Sequence, residues 1–277
     1  MKRILFLMPL FSFAITFSQD KELLFAKYLY EKGFYDNASL QLQLMRRSCG
    51  EEQVDSLTYY SGLCMEKMWL SDSAISLYNV LEPENEYYDH SRFRLALIFA
   101  SKKNYTGSLA VMDSLKLDNA CNEDLRLYFA DAFSLLSKKS ASKHAFSCKG
   151  TFSGKLEEYS GTLALNKRRS PFMGGLLSAL IPGLGRVYAG KPRLALSSFI
   201  PIATFGLQAW EGYRKQDGFK SARFWVFGSV ATLFYIGNIY GSALSVKIVK
   251  QERYDIVENQ VMLDLRLSLR DLYGRDW

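Results

Sequence analysis

The sequence predicts an all-α protein: a short solenoid of helical repeats, then a Pro-Gly helix-turn, then a two-helix transmembrane hairpin. Three observations lead there. Small residues recur every 34–36 positions through a polar N-terminal half. Two apolar runs near the C-terminus are long enough to cross a bilayer. Ahead of them lies an apolar segment, residues 170–190, broken by Pro182-Gly-Leu-Gly185.

At 277 residues the chain has room for about two domains. Its hydrophobic fraction of 48% conceals a split, because residues 20–169 are polar while 171–249 hold most of the long apolar runs. Residues 1–18 have the three parts of a secretion signal. Lys2 and Arg3 start it, residues 4–17 form an apolar core too short for a comfortable span, and Thr16-Phe17-Ser18 places small residues before Gln19. Cleavage is expected after Ser18. No Cys sits at that junction, which argues against a lipoprotein anchor.

The formal net charge is +7. Much of the excess is local: Lys138, Lys139, Lys143, Lys149, Lys155, Lys167, Arg168 and Arg169 face only Glu157 and Glu158. Such a segment, just before a membrane span, contacts anionic headgroups or is plain solvated charge. No nucleic-acid-binding motif accompanies it, so nucleic acid is not an expected partner.

Of the four cysteines, Cys49, Cys64, Cys121 and Cys148, none belongs to a CxxC or alternates with His, so no metal or other cofactor is expected. An exported domain permits disulfides, and four cysteines allow three pairings. Buried free thiols lead, with a Cys49–Cys64 or Cys121–Cys148 bridge as the alternative.

Within residues 19–150, Ala26, Gly62, Ala96 and Ala130 align at spacings of 36, 34 and 34. Around them recur Leu29, Gly33, Tyr35, Ala38, Leu42 and Met45, then Met65, Ala74, Tyr78 and Leu81, then Phe99, Tyr105, Met112 and Leu115. The fourth unit keeps Ala130 and Phe133. Units three and four carry Lys103 and Ser137 where the first has a turn glycine. The pattern resembles the tetratricopeptide repeat, in which small residues let two antiparallel helices approach closely. That resemblance implies stacked helix pairs with one concave face that holds a peptide or another protein. Carried over by position, the face presents Lys27, Tyr30, Tyr59, Glu66, Phe93 and Asp131.

A basic linker, residues 151–170, leads to the membrane domain over 171–250. Its spans are expected at 193–213 and 224–246, the second free of charge over 23 residues. At 1.5 Å per residue both reach across a layer of roughly 30 Å. Tyr213, Phe224 and Trp225 suit interfacial anchors. Gly237, Gly241 and Ser245 fall four apart on one helix face. They are expected to pack on Ala203 and Gly206 of the first span, or on another protein. Residues 171–190 read as an interfacial or re-entrant helix-turn rather than a third span, because Pro182 breaks a helix.

The run Ser178-Ala-Leu-x-Pro182-Gly183-Leu-Gly185-x-x-Tyr188-x-Gly190 is similar to small bacterial membrane domains of the TM2-like, DUF5683 type. There a Pro-Gly turn and a Tyr-x-Gly step precede two spans. The resemblance implies a structural role for Ser178, Pro182, Gly183, Gly185, Tyr188 and Gly190. The family commonly has Gln where this chain has Arg186. Its domain sometimes accompanies repeat domains or the membrane-protein insertion efficiency factor.

A cleaved signal would put the repeats in the periplasm and the turn at 211–223 in the cytoplasm, in a bacterial inner membrane. The net positive turn agrees with that, and Lys167-Arg168-Arg169 does not. In the tail, residues 251–277, the stretch 261–270 alternates apolar and polar side chains with the period of a strand. A lone strand needs a partner edge; otherwise the tail is helical despite the pattern.

No catalytic constellation is present. His90 and His144 lack a matched acid or nucleophile, and no phosphate loop or Gly-x-Ser-x-Gly occurs. The expectation is a non-enzymatic, membrane-anchored periplasmic scaffold that binds another envelope protein, with membrane lipids around it. The alternative is an accessory factor for membrane-protein insertion acting through the hairpin.

Overall fold

A computed structural model of the chain describes residues 21–48, 51–117, 119–137, 152–216 and 218–273. The secretion signal at 1–18, the lysines at 138–149, His144, Cys49 and Cys148 lie outside the described residues. The protein is all-helical, with no strand among the described residues. It divides into two compact units, Met1–Leu156 with Met262–Trp277, and Glu157–Val261.

The first unit contains helix α1 (residues 21–31), α2 (Tyr35–Ser48), α3 (Glu51–Lys67), α4 (Ser71–Val80), α5 (Tyr88–Ser101), α6 (Tyr105–Ser114) and α7 (Ala120–Leu136). Neighbours along the chain pack on one another, α2 on α3, α3 on α4, α5 on α6 and α6 on α7. The aligned small residues make these approaches close. Ala26, Ala38, Ala74 and Ala96 are fully buried. A Cβ on Gly62 would stand 2.5 Å from the Tyr78 ring, so α3 and α4 meet with only hydrogen between them. In α6 the small position is Ser108, whose hydroxyl donates to the Ala96 carbonyl at 2.9 Å and so ties α6 to α5.

The turns inside the first three helix pairs repeat bond for bond. Phe34 N–H donates to Leu29 O, Leu70 N–H to Met65 O and Asn104 N–H to Phe99 O, each at 2.9 Å. One residue earlier, Gly33 N–H donates to Tyr30 O, Trp69 N–H to Glu66 O and Lys103 N–H to Ala100 O. These two bonds define the Schellman close of a helix, which requires a left-handed residue at its centre. That residue is Gly33 (φ 84°), Trp69 (φ 62°) or Lys103 (φ 59°). Only the first is relieved of the Cβ clash that such a φ imposes.

The second unit begins within α8 (Phe152–Arg168), followed by α9 (Pro171–Leu180), α10 (Leu184–Ala189), α11 (Pro192–Lys215), one 3₁₀ turn (Gly218–Lys220) and α12 (Ala222–Tyr273). The segment expected as a basic linker is therefore helical over most of its length. The helix-turn expected at 171–190 is formed by α9 and α10. α11 and α12 run antiparallel: Phe205 stacks on Phe227 and Phe234, with centroids 6.2 and 5.6 Å apart. At the turn, Arg223 pairs with Glu211 at 2.9 Å and also donates to Gln208.

The second apolar run and the tail form one helix. α12 runs 52 residues without a break through both, the helical alternative for the tail, and no strand forms there. The apolar side chains buried along its later part, Val257, Val261, Leu265 and Leu269, are spaced by four, while Leu263 is exposed despite alternating with them. One helix, α12, is long and apolar enough to cross a membrane, and only 6% of its apolar window is buried within the protein. α11 falls short of that measure, diluted by Ser197, Ser198, Gln208 and Glu211.

Removing the strained Cβ should help the second turn. Trp69→Gly is expected to stabilise the first unit by about 1 kcal/mol, since the indole is 86% exposed and little burial is lost. Gly33→Ala should cost about the same. Thermal unfolding of the purified chain by circular dichroism reads both signs.

Candidate functional site

The six residues assigned to a partner-binding face all fall in the first unit, but their exposure differs from expectation. Tyr30, Tyr59, Phe93 and Asp131 are buried, and only Lys27 and Glu66 are partly open. Two of the six, Tyr59 and Glu66, meet in one polar-aromatic cluster built by α3, α4 and α5, while Phe93 packs edge-on against Phe129 of α7. The centre of the cluster is Arg94, 5% exposed in the middle of the apolar run Phe93–Ile98. Arg94 Nη1 donates to Glu66 Oε2 at 3.2 Å, and its Nε donates to Tyr59 Oη at 3.2 Å. Tyr78 Oη donates to the same Glu66 oxygen at 3.3 Å.

Because Arg94 can only donate, Tyr59 Oη accepts from it, and the same hydroxyl shares a hydrogen bond with His90 Nδ1, 2.7 Å away. Tyr59 also stacks on Tyr87, with centroids 5.0 Å apart. Burial, reinforced by the Glu66 carboxylate, raises the Tyr78 phenol well above its ordinary range, so it remains a donor at neutral pH. The cluster holds a charge pair and aligned rings. No group of metal-ligating side chains occurs among the described residues.

Part of this face is covered by the chain itself. Tyr273, in the last described turn of α12, stacks on His90 with centroids 4.7 Å apart and planes 8° from parallel. It also stands 6.1 Å from Phe93. Burial lifts its phenol, and Asp89 and Tyr59 add to the effect. On the same helix Asp264, itself buried, pairs with Lys155 at 2.8 Å. The sequence signal for this cluster was a lone arginine inside an apolar helical run; its partner at 273 carried none.

The motif of the second unit forms a different kind of site, a packing node. The fully buried Ser178 Oγ accepts from Gly185 N–H at 2.9 Å and donates to Ser242 Oγ at 2.7 Å, joining α9, α10 and α12. Pro182 has no N–H for the Ser178 carbonyl four residues back. Asn238 Nδ2 supplies the donor at 3.4 Å, and Tyr235 Oη donates to the next carbonyl, Ala179. Gly183 adopts φ 89°, and a Cβ there would stand 2.6 Å from Ala195 O. A Cβ on Gly185 would overlap the Gly174 carbonyl oxygen. Tyr188 Oη accepts from Ser170 N–H at 3.1 Å, and Gly190 closes α10 in the left-handed region.

The small-residue packing is displaced from its expected place. Nothing would lie within 4 Å of a Cβ on Gly237 or Gly206, and one on Gly241 would meet only the Arg186 guanidinium. Helix contact is instead made by Gly174 and Gly175 of α9, against Ser242, Val246, Ile239 and Ala243 of α12. Ser245 turns its hydroxyl onto its own helix, donating to Gly241 O at 2.7 Å. Compared with protein-family models, with curated proteins and with solved structures, the chain matches none.

Of the cysteines, Cys64 is free and buried, which excludes the Cys49–Cys64 bridge, and Cys121 is disulfide-bonded. Burial pushes the Cys64 thiol from 9.0 up to about 12. Since the thiolate is the reactive form, Cys64 should resist iodoacetamide at pH 8 in the folded chain and react once denatured, a difference read by mass spectrometry. Glu66→Gln removes the carboxylate from buried Arg94 and should cost about 3 kcal/mol, read as a lowered unfolding midpoint. Gly185→Ala drives a Cβ into backbone that cannot yield. It should destabilise the second unit more than Ser178→Ala, which loses hydrogen bonds at about 1–3 kcal/mol; thermal aggregation in detergent ranks the two.

Proposed function

We propose that the chain is a membrane-anchored periplasmic scaffold: its N-terminal helix pairs act as a short tetratricopeptide-like solenoid that binds another envelope protein, and its α11–α12 pair acts as a transmembrane hairpin. The observation that carries the reading is an apolar surface on the first helix pair. Leu24, Phe25 and Tyr28 form one exposed stripe on α1, and Leu40 and Leu44, one turn apart, form another on α2. Exposed apolar side chains grouped this way mark a protein-binding surface. The second unit supports anchoring, because the apolar window of α12 turns outward to its surroundings.

This moves the contact surface away from Tyr59, Phe93 and Asp131, which serve the interior of the unit, to the outer side of α1 and α2. Lys32 lies 5.6 Å from the Tyr28 ring, giving the stripe a cationic border. The repeats would then serve as a docking platform for that partner.

In-cell photocrosslinking tests the reading. A crosslinker in place of Tyr28 or Leu44 is expected to capture one dominant exported protein, while the same group in place of the buried Tyr59 captures none. Capture of translocon components or many nascent membrane proteins from Leu233, with none at Tyr28 or Leu44, would replace the scaffold by an insertion factor.

A further inference from the structure

We infer that the second unit contains a phospholipid-headgroup site at Arg186 and Asn238. It rests on the membrane reading above and adds a ligand to it. A cleft of about 500 Å³ opens between α10, α11 and α12, a size that suits a headgroup and the start of its chains. Its polar groups are Arg186, Ser197, Ser198 and Asn238, with the Ser198 hydroxyl already donating to Ala195 O at 2.9 Å, and its walls are Pro201, Leu233 and Phe234.

Two side-chain atoms at the cleft are buried without a hydrogen bond, and one carbonyl lacks its usual helical donor. Asn238 is 3% exposed. Its Nδ2 must face the Ser178 carbonyl, because that oxygen accepts only from a donor. Its Oδ1 is thereby fixed on the other side, buried and without a hydrogen bond. Arg186 donates through Nη1 to Leu194 O at 3.0 Å, while its Nε is buried with no acceptor. Arg186 has no carboxylate partner among the described residues. Finally, Pro201 sits inside α11 and has no N–H for the carbonyl of Ser197, four residues earlier.

The unmet demands are specific. A cation in apolar surroundings needs an anion, and Asn238 Oδ1 needs a donor. A phosphate diester with an adjacent hydroxyl or ammonium meets both: its oxygens accept from Arg186, and its donor reaches Asn238 Oδ1. The surface beside the cleft identifies the source. Leu233 lines it and is exposed, and Leu196, Ile200 and Ile236, next in sequence to the lining residues Ser197, Pro201 and Gly237, are exposed as well; such apolar surface favours acyl chains and gives a soluble phosphate ester nothing in exchange. Gly237 lines the same cleft with open space where a side chain would stand, so its failure to pack against α11 keeps the site open.

The test uses the full chain, extracted from carbonate-washed membranes in mild detergent and weighed by native mass spectrometry. Release of the chain by carbonate would overturn the membrane reading and the lipid site with it. If the chain stays embedded, one phospholipid per chain is expected to persist, with the mass of phosphatidylethanolamine or phosphatidylglycerol. Its occupancy should fall about tenfold or more in Arg186→Gln. Gly237→Leu, which fills the cleft and removes no interaction, should fall as far, and Arg193→Gln, an exposed charge nearby, should not fall. An embedded chain without lipid, or one whose lipid is retained equally by both site variants, overturns the headgroup site alone. Purification with added glycerol 3-phosphate separates the sources: replacement of the lipid by the soluble ester overturns the lipid assignment.

Discussion

A single missing hydrogen organises the second unit. Pro182 deprives the Ser178 carbonyl of its donor at a depth where water does not reach, and an unmet buried carbonyl costs about as much as a lost hydrogen bond. Asn238 of α12 answers that carbonyl, and Tyr235 answers its neighbour. Once those bonds form, the register of α9 on α12 is set, and the glycines at 174 and 175 fall opposite Ser242 and Ile239. The Ser178 hydroxyl then has only one way to satisfy both Gly185 and Ser242. The sharp step into α10 follows, through the one residue, Gly183, that can turn there.

The first unit is held by a different balance. Its helix pairs rest on small residues and rings, yet a guanidinium lies at their centre. Charge burial of this kind is rarely a net gain in stability, and the arrangement around Arg94 limits the loss: Glu66 pairs with the guanidinium, and Tyr59 accepts from it while bonded to His90. The last turn of α12 then lays Tyr273 flat on His90. Ring stacking and directed hydrogen bonds together give this cluster one geometry, where a purely aliphatic seam would tolerate several.

The sequence was most legible where spacing has a direct geometric meaning. The interval of Ala26, Gly62 and Ala96 reported helix pairs, and the Pro-Gly step reported a turn between two short helices. It was least legible where an answer depends on a distant segment. Nothing local to Gly237 distinguishes a glycine that packs from one that faces open space; only the placement of α9 decides it. The repeat resemblance places Tyr59 and Phe93 on the concave face, and both are interior, Tyr59 against Tyr87 and His90, Phe93 against Phe129 and Tyr273. The tail stayed open between strand and helix for a third reason: leucines on alternate residues satisfy a strand period, while every fourth residue satisfies a helix, and continuity with the preceding helix favours the second.

The left-handed turns at Trp69 and Lys103 also bear on motion. A side chain held at such a φ stores about 1–2 kcal/mol, and that energy is returned when the turn opens. The amides of Leu70 and Asn104, whose bonds close those turns, thus sit on a lower opening free energy than the amide of Phe34. Deuterium should reach them some 5- to 30-fold sooner. The second and third helix pairs are in this sense the loose joints of the repeat unit, and the first, with its glycine, is the stiff one.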